Sequence, residues 1–221
     1  FGKSMLIFEC GNERPWTDLR DAGIATVKNS GSALILSLSG RDIESCVNLM
    51  RVFNKHPVDA FELNVSCSHS GALHGNLNVD ADHLRKLLES TRPVTPKPIW
   101  IKLSYSSFIV GMARQAEELG ADAIVLTNSI GPGLLIDVAT GKPKIGIQGG
   151  AGGLTGAAIF PIALRCVYEV SKAVSIPVVG VGGIMSSNDV IQMIMAGASA
   201  VQVYTLPTLR GPQSFKELVT G

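Results

Sequence analysis

The 221 residues are 46% hydrophobic with a formal net charge of +1, enough apolar material for a sizeable core. The absence of a long basic run argues against nucleic-acid binding, which needs clustered Lys and Arg to neutralise phosphates, and no segment reaches the roughly 20 apolar residues of a transmembrane helix. Cys10, Cys46, Cys67 and Cys166 lie far apart without CxxC spacing, which argues against a zinc ribbon or disulfide framework and fits reduced thiols in a cytosolic α/β protein.

From Ala33 onward, apolar runs of strand length alternate with amphipathic stretches of helical length, and turn residues separate them. Leu34–Leu38 predicts a strand and Asp42–Asn54 a helix. Ala60–Val65 and Ala81–Ser90 form the next pair, then Pro98–Leu103 and Phe108–Leu119. Ala123–Thr127 precedes a glycine-rich insertion from Asn128 to Gly156, in which Asp137–Lys144 suits a small hairpin, and a helix near Ala157–Ala173 follows. Pro177–Val181 leads to Asn188–Met195, and Ala200–Tyr204 to Pro212–Val219.

Repeated βα units imply a parallel sheet buried on both faces. Eight would close a barrel of about 250 residues. The visible units in this shorter chain predict a (β/α)8 TIM barrel without its first one or two strands, with a doubly wound sheet as the alternative.

In Phe61-Glu62-Leu63-Asn64-Val65-Ser66-Cys67 a buried-strand pattern runs into an amide, a hydroxyl and a thiol, and the loop Ser68–Asn76 follows. Ligands of α/β proteins sit at such strand ends. Asn64, Asn128 and Ser129 can present amide or hydroxyl groups to a planar heterocycle, or serve as turn residues. Lys102 falls inside an apolar strand, where an ammonium needs an anionic partner or a path to solvent. Cys67 suits a base if its thiol is made more acidic, and is otherwise an inert filler.

Gly182-Gly183 follows one late strand, and Tyr204-Thr205 stands at the end of the next with Gly197 just before it. Glycines there permit close backbone approach to a phosphate, in the last two units where barrel phosphate sites commonly occur. Gly152-Gly153-Leu154-Thr155-Gly156 reads as a glycine-rich lead-in to a helix. His69 and His74 near Cys67 supply only three candidate ligands, fewer than a structural zinc site wants, so no metal is expected.

Glu-Leu-Asn-x-Ser-Cys, followed in order by Trp100-Ile101-Lys102-Leu103, Thr127-Asn128-Ser129, Gly152–Gly156, Gly180-Val181-Gly182-Gly183-Ile184 and Gly197-Ala198 through Tyr204-Thr205, resembles the dihydroorotate dehydrogenases. The related FMN barrel of dihydropyrimidine dehydrogenase is similar. Lys3-Ser4 and Gly11-Asn12-Glu13-Arg14-Pro15 look like the family's Thr-Lys-Ser/Thr and Gly-Asn-Pro segment.

The resemblance implies a single FMN-binding barrel domain over residues 1–221, incomplete at its N-terminus, that oxidises dihydroorotate to orotate in cytoplasmic pyrimidine synthesis. FMN would be held by Lys3, Ser4, Lys102, Gly153, Gly156, Gly182, Gly183, Tyr204 and Thr205. Cys67 would be the catalytic base, Lys102 would stabilise reduced flavin, and Asn64, His69, Asn128 and Ser129 would bind the substrate ring. The electron acceptor stays unnamed, and the oligomeric state stays open with a homodimer among the options. The family usually reads Cys-Pro-Asn where this chain has Cys67-Ser68-His69, while dihydropyrimidine dehydrogenase more nearly reads Cys-Pro-His. The alternatives are therefore a dihydropyrimidine dehydrogenase-like oxidoreductase, a flavin-free barrel enzyme for a phosphorylated substrate, and a non-catalytic flavin- or nucleotide-binding module.

Overall fold

The computed structural model describes residues 4–7, 23–40, 42–65, 81–145 and 148–220. Its elements in chain order begin with β1 (Ser4–Ile7), α1 (Ile24–Asn29), β2 (Ile35–Leu38), α2 (Ile43–Phe53), β3 (Ala60–Asn64), α3 (Ala81–Thr91), β4 (Ile99–Leu103), α4 (Ile109–Glu118) and β5 (Ala123–Leu126). The insertion carries β6 (Ile130–Leu134), β7 (Ile136–Asp137), β8 (Lys142–Pro143) and β9 (Ala151–Gly156). After it come α5 (Phe160–Ser171), β10 (Val178–Val181), α6 (Ser187–Met195), β11 (Ala200–Gln202), α7 (Thr205–Arg210) and α8 (Ser214–Thr220).

Local chemistry accounts for the helix boundaries. Asp42 caps α2 by accepting the Ser45 N–H at 2.7 Å. From there Cys46, Val47, Met50 and Phe53 fall on one buried face at helical spacing. Ser186 caps α6, and the Asp189 carboxylate accepts both the Ser186 hydroxyl and the Met185 N–H at 2.9 Å.

Six strands pair in the order β11-β10-β5-β4-β3-β2, and every pairing is parallel. Each strand lies beside its chain neighbour within this sheet, with no reversal of order. That is the winding of a barrel, and it excludes the doubly wound sheet, whose order must reverse at a switch point.

Alternation along the strands divides the core. Leu36, Leu38, Phe61, Leu63, Ile99, Ile101, Leu103, Ile124 and Leu126 join the large cluster beneath the helices. Val125, Val179 and Val181 pack with Trp100 in a separate cluster on the other face.

All the predicted βα units are present, while the insertion holds more structure than its sequence suggests. Its tip forms the β7–β8 hairpin. Beside it, β9 pairs antiparallel with both β1 and β6. Gly152–Gly156 therefore lies in a strand, and a 3₁₀ turn over Ala157–Ile159 separates it from α5. A glycine-rich strand hides its alternation because half of its residues have no side chain to show it. The last barrel strand stops at Gln202, so Tyr204 caps α7 instead of ending the strand. Pro207 sits in the first turn of that helix, where its missing N–H costs little. Among the described residues no helix is long and apolar enough to cross a membrane.

The amino-terminal edge of the sheet is held by charged staples. The Arg92 guanidinium donates to the Asp122 carboxylate at 2.8 Å and to the carbonyls of Thr95 and Lys97 at 2.6 and 2.7 Å. Asp122 in turn accepts the Ile99 N–H that opens β4. Asp59 accepts the Leu34 N–H at 2.6 Å and pairs with Lys28, and these bonds, the Leu34 N–H first, hold its carboxyl below the usual value. Arg92→Ala should lower stability by about 2 kcal/mol, since several charge-assisted bonds are lost together. Arg165→Ala, which removes a solvent-screened pair one turn apart on α5, should leave the denaturation midpoint nearly unchanged. Urea denaturation of the two variants checks the contrast.

Candidate functional site

At the carboxyl-terminal edge, five strand ends converge on one cavity of ≈ 180 Å³. Asn64 ends β3, Lys102 lies one residue from the end of β4, Thr127, Asn128 and Ser129 follow β5, Gly182 and Gly183 follow β10, and Gln202 ends β11. Thr155 of β9, Tyr204 and Thr205 complete the wall. The β3–β4 register sets Asn64 directly beside Lys102.

The two asparagines are held in defined orientations. Asn128 Nδ2 donates to Asn64 Oδ1 at 3.0 Å, while Asn128 Oδ1 accepts the Ser129 N–H at 2.8 Å. The backbone beneath them is tied on both sides, because the Asn128 N–H donates to the Leu103 carbonyl and the Thr127 N–H to the Val181 carbonyl.

Lys102 has an anionic partner within the chain. The Glu62 side chain is only 3% exposed, and its Oε1 accepts from Lys102 Nζ at 3.4 Å and from the Ser37 hydroxyl at 2.7 Å. Gln202 bridges the pair, donating from Nε2 to Glu62 Oε2 at 2.8 Å and accepting from Lys102 at 3.1 Å. An isolated carboxylate buried this deeply would cost several kcal/mol, and these donors offset that cost.

The far wall is built differently. Gly182 and Gly183 have φ of 121° and 76°, the left-handed region that glycine tolerates. A Cβ on Gly183 would lie 2.7 Å from the Phe160 backbone nitrogen and 2.8 Å from the Gly156 carbonyl oxygen. Among the described residues, the N–H groups of Gly182, Gly183 and Ile184 meet no acceptor. Thr127 Oγ1 is buried at the same wall without a partner among the described residues. Thr155 and Thr205 are joined through their hydroxyls at 3.0 Å.

Of the residues singled out from sequence, Asn64, Lys102, Asn128, Ser129, Gly182, Gly183, Tyr204 and Thr205 meet at this cavity. Gly153 and Gly156 lie in β9, where they pair with Ile7 and Ser4 of β1. Cys67, His69 and Lys3 lie outside the described residues. Glu62, Thr127 and Thr155 stand in the segments quoted from sequence without a site role, and Gln202 carries none there either. Strand alternation carried the signal for Glu62, which faces the same side as Asn64 two residues on. Cys46 and Cys166 are buried free thiols, and burial raises both, Cys166 to about 11, so neither is a ready nucleophile.

The family model described as Dihydroorotate dehydrogenase matches residues 17–221. The chain belongs to the dihydroorotate dehydrogenase family. It is 37% identical over 190 residues to a dihydroorotate dehydrogenase B (NAD(+)) catalytic subunit of Methanothermobacter thermautotrophicus, covering 85% of this chain and 62% of that protein. The Fusobacterium nucleatum protein of the same name is 42% identical over 177 residues, covering 78% of this chain and 56% of the relative. A putative dihydroorotate dehydrogenase A (fumarate) of Solibacter usitatus is 42% identical over 178 residues, 79% of this chain and 57% of the relative. The chain thus spans less than two thirds of the length of these curated relatives. The Eimeria tenella DHODH–ferulenol complex shares the fold, with a TM-score of 0.64 at 20% identity over 80% of this chain and 52% of that one.

In this family member, the packing around Gly183 makes a direct test of the cavity wall. Gly183→Ala should destabilise by more than about 2 kcal/mol, because backbone conformation and overpacking penalties add. Gly31→Ala, at φ 77° but with nothing within 4 Å of the new Cβ, should cost only about 1 kcal/mol. Equilibrium denaturation of both variants separates the two terms.

Proposed function

We propose that this chain is an FMN-binding barrel domain that oxidises dihydroorotate to orotate in the cytoplasm. One observation carries the reading: Asn64, Lys102, Asn128 and Ser129 meet at one side of a cavity whose opposite wall is a glycine turn with N–H groups that meet no acceptor among the described residues. The family's dihydroorotate dehydrogenases supply the substrate.

The residues present fit the cofactor. A phosphate needs donors without side-chain bulk, and Gly182 and Gly183 offer them beside Tyr204 and Thr205. The Thr127 hydroxyl, buried and without a partner among the described residues, offers a further polar contact. Lys3, Ser4, Gly153 and Gly156 are assigned to the same cofactor from sequence. When bound, FMN supplies the two-electron acceptor for the reaction.

The chain's own residues account for the remaining work. Asn64, Asn128 and Ser129 orient the substrate ring through amide and hydroxyl groups, while Lys102 stabilises negative charge developing beside it. Cys67, three residues beyond Asn64 in the sequence, removes the C5 proton as a thiolate. His69 takes the place where the family usually has Asn, and its imidazole can meet the substrate carboxylate. Cys67-Ser68-His69 also favours a second reading, an uncharged dihydropyrimidine as substrate.

The purified protein should be yellow and release FMN on denaturation, and a colourless protein that cannot be reconstituted would end this reading. Cys67→Ala should keep FMN and lose oxidation of dihydroorotate by at least about 100-fold with an artificial electron acceptor. Cys67→Ser should keep slight activity displaced to higher pH, and wild-type rates in Cys67→Ala would remove the thiol from the mechanism.

Substrate choice has its own test. If His69 holds the carboxylate, dihydroorotate affinity should fall as rising pH removes the imidazolium charge. His69→Asn should flatten that dependence. Faster turnover of dihydrouracil than of dihydroorotate would overturn the substrate and leave the flavin reading standing.

A further inference from the structure

We propose that Glu62 is a positioning residue that tunes the cofactor's electron affinity, by holding and partly offsetting the Lys102 ammonium with Gln202 as the bridge. The inference rests on the FMN reading above. Glu62 is buried, so its charge is poorly screened by solvent. Its carboxylate lies 3.4 Å from an ammonium that lines the cavity.

The route of the contacts points away from simple packing. Lys102 is on β4 and Gln202 on β11, and the sheet order puts β10 and β5 between them. Their 3.1 Å bond therefore crosses the inner face of the curled sheet. Gln202 has one amide orientation that serves both neighbours, donating to Glu62 and accepting from Lys102. Ser37 supplies the carboxylate with a further donor from β2. The result is a lysine fixed in place with its positive charge shared.

A shared charge at this position has a predictable effect. Reduction adds negative charge to a flavin, so a stronger positive field favours the reduced form. Replacing Glu62 by its neutral isostere keeps the side-chain shape and removes the offsetting charge. Lys102 then acts with its full field.

The test is the midpoint potential of bound FMN in the purified protein, measured by equilibration with a reference dye. Glu62→Gln should favour reduced over oxidised FMN by about tenfold, a positive shift of about 30 mV for a two-electron couple. Ser37→Ala should move the potential the other way by less, because the carboxylate loses a donor that competes with Lys102. In a Lys102→Met background the Glu62→Gln shift should fall by at least about half. A purely structural role would reduce FMN retention in Glu62→Gln and leave the potential of the retained fraction at the wild-type value, which overturns the proposal. A potential in Glu62→Gln below wild type does the same, as does a rise in Ser37→Ala where Glu62→Gln fails to fold. Wild-type protein that binds no FMN would instead defeat the functional reading itself.

Discussion

Because each of the six sheet strands pairs in parallel with its chain neighbour, all their carboxyl ends leave the sheet along one edge. Every strand is also covered on its helix face, so residues alternate between an apolar layer under the helices and the inner face of the curl. Phe61, Leu63, Ile101 and Leu103 go outward, while Glu62, Asn64 and Lys102 go inward. The same alternation that builds the core thus delivers the polar groups to a common cavity.

The inner face can hold charges only where they satisfy one another. Trp100, Val125, Val179 and Val181 keep part of it apolar. Beside them, Glu62, Lys102, Gln202 and Ser37 form a network drawn from four strands. Removing Glu62 or Lys102 leaves the other charge without its counter-ion, so such networks resist piecemeal change. Here the lysine of that network also lines the cavity, which links the stability of the curl to the electrostatics of the site.

The two edges of the sheet divide the labour between stability and chemistry. At the amino edge, Asp59, Asp122 and Glu117 accept backbone N–H groups of incoming segments, including Leu34, Ile99 and Ile176. At the carboxyl edge, Gly182, Gly183 and Ile184 keep N–H groups without acceptors among the described residues. Satisfied donors hold a fold together, whereas unengaged ones at a glycine turn are available to an anion.

The sequence by itself determined the βα alternation and the strand-end positions of Asn64, Lys102, Asn128 and Gly182, because hydrophobic periodicity and glycine punctuation are local properties; the strand order then decided the barrel over a doubly wound sheet. It also showed that Lys102 needed a partner. Only the tertiary structure decided that Glu62 is that partner, since a contact between β3 and β4 depends on strand register. Gln202 lies 100 residues from Lys102 and meets it only because the sheet curls. The pairing of β1 with β9 was equally hidden, for antiparallel partners so distant in sequence leave no local trace of each other, and the glycines of β9 mask its alternation. Residue type and period reveal what each segment can do, and only the closing of the sheet selects which segments meet.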